Sequence, residues 1–140
     1  MVHAANANEQ IVLDLFSSMN VKDHDWTARL LHEDIAWTAM VSDLPGSGTK
    51  TGKESVLRDL LTFPSRVFRP GDPKAAVDRI ISSGDFVMAE TRTTGTHQDG
   101  RVYNNNYAWA VELRDGLVIG VRHYFDTFRA QQFFNISPAA

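Results

Sequence analysis

The chain has 140 residues, 43% of them hydrophobic, or about 60 apolar side chains, which suits one domain (1–140) around a single core and argues against two. Fourteen Lys and Arg against 17 Asp and Glu leave a net charge of -3, so there is no basic field to hold a nucleic acid, and the absence of Cys excludes disulfides, thiolate catalysis, iron–sulfur clusters and Cys-rich zinc sites. Met1-Val2-His3-Ala4-Ala5-Asn6 carries no positive side chain or apolar run, and no window approaches the ~20 apolar residues of a membrane span. The expectation is a soluble, cytoplasmic protein with no nucleic-acid or membrane partner.

Val12, Leu15, Phe16 and Met19 recur at helical spacing, and Asn6 with Glu9 three residues on supplies a cap, which predicts a helix over 7–19. The polar run Asn20 to Asp25 can cap a short second helix marked by Trp26, Leu30 and Leu31. A short apolar strand is expected at 35–40, and a loop at 42–50, where Pro45, Gly46 and Gly48 fall. Thr51-Gly52-Lys53-Glu54 reads as a capping box for a third helix, through Val56, Leu57, Leu60 and Leu61, that ends at Phe63-Pro64. Pro64, Pro70 and Pro73 then predict an irregular connection.

From Ala75 the period changes to two. Turn signals at Ser83-Gly84-Asp85, His97-Gln98-Asp99-Gly100 and Arg114-Asp115-Gly116 predict strands at 75–82, 86–96, 102–113 and 117–125, linked too tightly for anything but antiparallel pairing. Asp126 or Thr127 can cap a last helix reaching Phe134, and residues 1–6 and 137–140 read as loose ends. Helices followed by a meander indicate an α+β domain, with helices packed on one face of a curved antiparallel sheet.

Strand parity sorts the side chains. Val87, Ala89, Thr91 and Thr93 share one face of their strand, Asn105, Tyr107, Trp109, Val111 and Leu113 one face of the next, and Ile119, Val121, His123 and Phe125 one face of the last. Parity thus commits His123, the only titratable group in these three sets apart from the phenol of Tyr107, to the apolar face beside Asn105, Tyr107 and Trp109. Its ordinary pKa near ~6.5 suits acid–base work, and a satisfied core histidine is the competing reading. Asn105, Tyr107, Trp109 and Phe125 offer hydrogen bonds and flat faces to a ligand, as does Trp37, which equally suits a core. Asp34 and Asp126, at element ends, are read as caps.

Several motifs fail their own tests. Gly46 to Glu54 lacks the spacing and hydroxyl of a phosphate-binding P-loop, no Gly-x-Ser-x-Gly elbow occurs, and the His and Asp pairs lack zinc-site spacing, so neither metal nor cofactor is expected. Asn135-Ile136-Ser137 is a glycosylation sequon in form only.

Taken in order, Lys22-Asp23, Glu33-Asp34-Ile35-Ala36-Trp37, Thr51-Gly52-Lys53-Glu54, Tyr103-Asn104-Asn105-Asn106-Tyr107, Asp115-Gly116 and His123-Tyr124-Phe125-Asp126 resemble the nuclear transport factor 2-like superfamily, in its SnoaL-like polyketide cyclase and ketosteroid-isomerase-related branch. The resemblance implies a conical barrel of curved sheet around N-terminal helices, a deep pocket and a homodimer. For the dimer we expect the sheet face bearing Glu90, Arg92, Ala108, Ala110, Arg122 and Tyr124. It also implies which chemistry is missing. The ketosteroid isomerases' Asp and Tyr match Ala39 and Leu15, and the limonene-epoxide hydrolases' Arg and Asp match Thr91 and Thr93. The cyclases' last-strand carboxylate matches His123, which keeps the register and changes the group. The expectation is cofactor-free isomerisation, dehydration or cyclisation of an apolar cyclic or polyketide-like molecule, with a non-catalytic binding or carrier domain as the alternative.

Overall fold

The computed structural model describes residues 2–44 and 46–134; the expected loose end 137–140, the sequon at Asn135 and the loop residue Pro45 lie outside them. Helix α1 (Ala7–Asn20) begins where the Asn6 carboxamide accepts the Glu9 N–H at 2.9 Å. Glu9 in turn accepts from Ala5 N–H and the Ser82 hydroxyl, and Asn6 donates to Ser82, so Ala5 and Asn6 are tied to the sheet rather than loose. Asp23 caps α2 (His24–Leu30) through the Trp26 N–H, and the buried Thr27 hydroxyl donates to Ser18 on α1 at 2.8 Å. This locks the two helices into one unit.

Leu31, expected in the second helix, instead opens β1 (Leu31–Ala39) and is 1% exposed. Two further expectations are corrected here. The stretch expected as a loop ends in a short edge strand, β2 (Gly48–Thr51), antiparallel to β1 with Trp37 opposite Lys50. Thr51 therefore cannot cap, and Gly52, at φ 87, holds the N-cap position of α3 (Lys53–Val67) without a side-chain bond; Glu54 pairs with Arg58. Nor does α3 stop at Phe63. It continues through Pro64, which lies in its last turn, and closes through Phe68 N–H to the Pro64 carbonyl at 2.8 Å.

Strands β3 (Lys74–Ser83), β4 (Phe86–Thr96), β5 (Val102–Arg114) and β6 (Leu117–Phe125) form the expected antiparallel meander, followed by α4 (Thr127–Phe134), whose first turn Asp126 caps. The sheet order is β2-β1-β6-β5-β4-β3, curled but unclosed, with β2 and β3 as its two edges. Antiparallel pairing is broken once, where β1 lies parallel to β6; the long chain between them permits a crossover that hairpins do not. A bulge between Glu112 and Leu113 opposite β6 reverses parity near its start, so the buried residue is Val118 (0% exposed) and not the expected Ile119. Beyond that bulge Val121, His123 and Phe125 keep the inner face.

The apolar face of α1, through Val12, Leu15 and Phe16, packs on Val87, Ala89, Trp109, Val111 and Val121 of the concave sheet. A second cluster of Phe68, Tyr103 and Phe133 closes the end next to α4. Among the described residues, no helix is long and apolar enough to cross a membrane.

Candidate active site

Register builds the site. Across the concave face Ala39, His123 and Trp109 stand directly opposite one another on β1, β6 and β5, with Tyr107 opposite Phe125 one step along. The His123 ring stacks on Trp109 (centroids 4.7 Å, 26°) and on Phe125 (5.4 Å, 21°), while Tyr107 stacks on Phe125 at 5.0 Å and on Trp109 at 5.6 Å. Trp37 stands edge-on to Trp109 and His123 at 6.0 and 6.4 Å. Together these rings line one side of an open space.

That space is a cavity of about 220 Å³, floored by Trp37, Ala39, Tyr107, Trp109, His123 and Phe125 and roofed by Phe16, Met19, Leu60 and Phe63 from α1 and α3. Five of the six expected site residues line it. The sixth, Asn105, does not: it is 1% exposed, its amide donates to the Tyr103 hydroxyl and the Asp126 carbonyl, and its oxygen accepts from Asn106 N–H. Its side chain is spent on fixing the β5–α4 junction.

Two polar atoms of the floor are also engaged. The Trp109 indole N–H donates to Thr91 at 2.9 Å, and the Tyr107 hydroxyl bonds that of Tyr103 at 2.7 Å. Burial, reinforced by Tyr103, pushes the Tyr107 phenol well above its ordinary range, so it stays protonated. His123 differs. Its Nδ1 is buried with no hydrogen-bond partner among the described residues, and burial pushes the ring down from 6.5 to about 4. The imidazole is therefore neutral at neutral pH and holds an unused polar atom among aromatic faces, an arrangement that costs stability unless something else uses it. No group of three His, Asp or Glu side chains among the described residues is gathered as metal ligands.

The cavity reaches solvent where its lining residues are exposed, Lys50 and Lys74 among them. Lys50 comes from β2 at one edge, Lys74 from β3 at the other, and Lys22 from the turn after α1, with Asp59 and His24 also on the lining. Sequence pattern assigns neither the lysines nor the helix roof to a site. Met19 already stood on the apolar stripe of α1, but Lys22 and Lys74 carry no periodic signal, and only the fold brings them together.

Comparison with known proteins agrees with this architecture. A crystal structure of a nuclear transport factor 2-like protein of unknown function from Burkholderia pseudomallei superposes with TM-score 0.83 at 20% identity, over 94% of this chain and 99% of that one. TerC, co-crystallised with polyporic acid, gives 0.83 and 20% over 94% and 100%, and a candidate SnoaL-like polyketide cyclase from Jannaschia sp. CCS1 gives 0.79 and 17% over 99% of both. At such identities the likeness shows the fold. Among curated proteins none matches the chain. A family model described as the SnoaL-like domain matches residues 12–123, from the buried stripe of α1 to the histidine of the cavity floor, and the chain belongs to that family.

Proposed function

We propose that this single domain is a small-molecule enzyme whose His123 moves a proton on an apolar cyclic or polyketide-like ligand, isomerising, dehydrating or cyclising it without a cofactor. One observation carries the reading: a neutral imidazole with a buried, unpartnered Nδ1 in the floor of an aromatic-walled cavity where the Tyr107 hydroxyl and the Trp109 indole are already bonded. At about 4 the ring has the proton affinity of an ordinary carboxylate, so it can replace the acid group that the resemblance places in its register while remaining uncharged beside an apolar ligand. In the forward step a C–H bond next to a ligand carbonyl breaks. Its electron pair forms the enolate, and the proton passes to the ring. The imidazolium, lying between Trp109 and Phe125 and poorly solvated there, is then held by attraction to the enolate. Returning the proton to another carbon completes an isomerisation. The co-crystal of TerC with polyporic acid supports a small-molecule occupant for this fold.

The binding-domain alternative rests on one observation: burial is the sole cause of the His123 shift, with no carboxylate acting on the ring. An enolisable bicyclic ketone such as 2-tetralone separates the two readings. A catalyst binds it and speeds deuterium uptake from heavy water, with His123→Gln binding equally and exchanging no faster than buffer; a carrier binds it with no exchange.

The same reading takes the protein as a cytoplasmic homodimer, its lack of Cys suiting a reducing compartment. On the sheet side opposite the cavity, Glu90, Ala108 and Tyr124 align across β4, β5 and β6, with Arg122 in the next row beside the buried Ala110, a patch suited to a two-fold contact.

A further inference from the structure

The ammonium groups of Lys22 and Lys74 cross at the mouth of the cavity. Lys22 reaches forward to the Pro73 carbonyl at 2.9 Å, and Lys74 reaches back to the Asn20 carbonyl at 3.2 Å. Each bond uses one of three N–H donors on its nitrogen, and no ion pair joins either lysine to a carboxylate among the described residues. Asp72, the acid that offsets Lys22, has an oxygen already engaged by Thr96 N–H at 2.9 Å. The Lys22 amine is held below its usual range first by burial and then by the charge of Lys74, so the two cations repel. Lys50, from the other edge strand, also lines the cavity, and of the charged lining residues only Asp59 opposes the lysines. A chain with a net charge of -3 thus carries a local excess of positive charge where its apolar cavity meets water.

We propose that the ligand of this cavity is amphipathic: a planar ring system lying against Trp109 and His123, ending in an anionic group, carboxylate or ionised enol, that sits at the mouth between Lys22 and Lys74. The proposal rests on the cavity being the ligand site. The anion fills vacant N–H donors and cancels the repulsion between the ammonium groups, and the aromatic floor accepts the ring without an added polar contact. Orientation follows, since the charged end at the mouth directs the opposite end of the ring toward His123.

The test compares 2-naphthoate with its neutral isostere 2-naphthamide, through quenching of tryptophan fluorescence at low ionic strength. Expected is about a tenfold preference for the acid that shrinks with added salt. In Lys22→Gln/Lys74→Gln the preference falls to near one while naphthamide affinity is unchanged, which also shows that the variant is folded. Lys74→Gln alone, at an exposed site, loses about threefold of the preference and replaces the double variant if that one no longer takes the amide. A wild-type protein that binds acid and amide equally overturns the proposal and leaves the cavity standing as the ligand site. A preference that survives both substitutions overturns it as well. Failure to bind either probe overturns the cavity reading itself, and the proposal with it.

Discussion

The low proton affinity of His123 has a consequence for stability that needs no substrate. The unfolded ring takes its proton near 6.5 and the folded ring near 4, because the charged form is poorly solvated among Trp109, Tyr107 and Phe125. As pH falls, the unfolded chain gains this proton before the folded chain does. The contribution is therefore fully present above about 6.5 and is lost progressively toward 4, with a ceiling of about 3 kcal/mol. Between pH 7 and pH 5 the loss is about 2 kcal/mol, or roughly 6 °C in melting temperature for a domain of this size. Substituting His123→Gln removes the titration, and every other group remains common to both proteins. Calorimetric melts of the two from pH 7 to pH 5 should diverge, the wild type losing more stability by that amount. Parallel curves would show that the folded ring protonates near its ordinary value, and the account of a desolvated imidazole would be refuted.

Three further outcomes follow from the packing. Thr91→Val leaves the buried indole N–H of Trp109 without its acceptor and should cost about 1–3 kcal/mol in chemical denaturation, with weakened ligand binding because that ring forms the cavity floor. Gly95→Ala puts a methyl 2.9 Å from the Phe68 ring and 3.1 Å from the Pro73 backbone. Since the backbone cannot give way as a flexible side chain does, about 1–3 kcal/mol of destabilisation is expected, read in the same melts. Solution scattering should give a dimer mass at micromolar concentration, and Ala108→Arg, in the middle of the outer patch, should give a monomer; a monomeric wild type would dismiss that interface.

Much of this fold is written locally. The caps Asn6, Asp23 and Asp126, the tight turns at Asp115-Gly116 and Ser83-Gly84 and the period-two runs each specify an element from neighbouring residues alone. What escaped the sequence depends on distant partners. The strand Gly48–Thr51 exists because β1 offers it an edge, and the bulge that buries Val118 in place of Ile119 is set by the register with β5. The site divides the same way. Parity alone brings Tyr107, Trp109, His123 and Phe125 to one face, but it treats Asn105 as their equal, and only the position of Tyr103 and Asp126 shows its amide consumed. The roof residues Leu60 and Phe63 and the lysines at the mouth come from separate segments, and nothing in their local spacing points to a shared cavity.

The central claim is that His123 acts as an uncharged base in the cavity, and the pH profile of enzyme-catalysed deuterium uptake into 2-tetralone tests it most directly. A ring already deprotonated at about 4 predicts a rate that is flat from pH 5.5 to pH 8 once buffer exchange is subtracted, and abolished in His123→Gln. A rate that climbs through an inflection near 6.5, or one that His123→Gln leaves intact, would contradict the account.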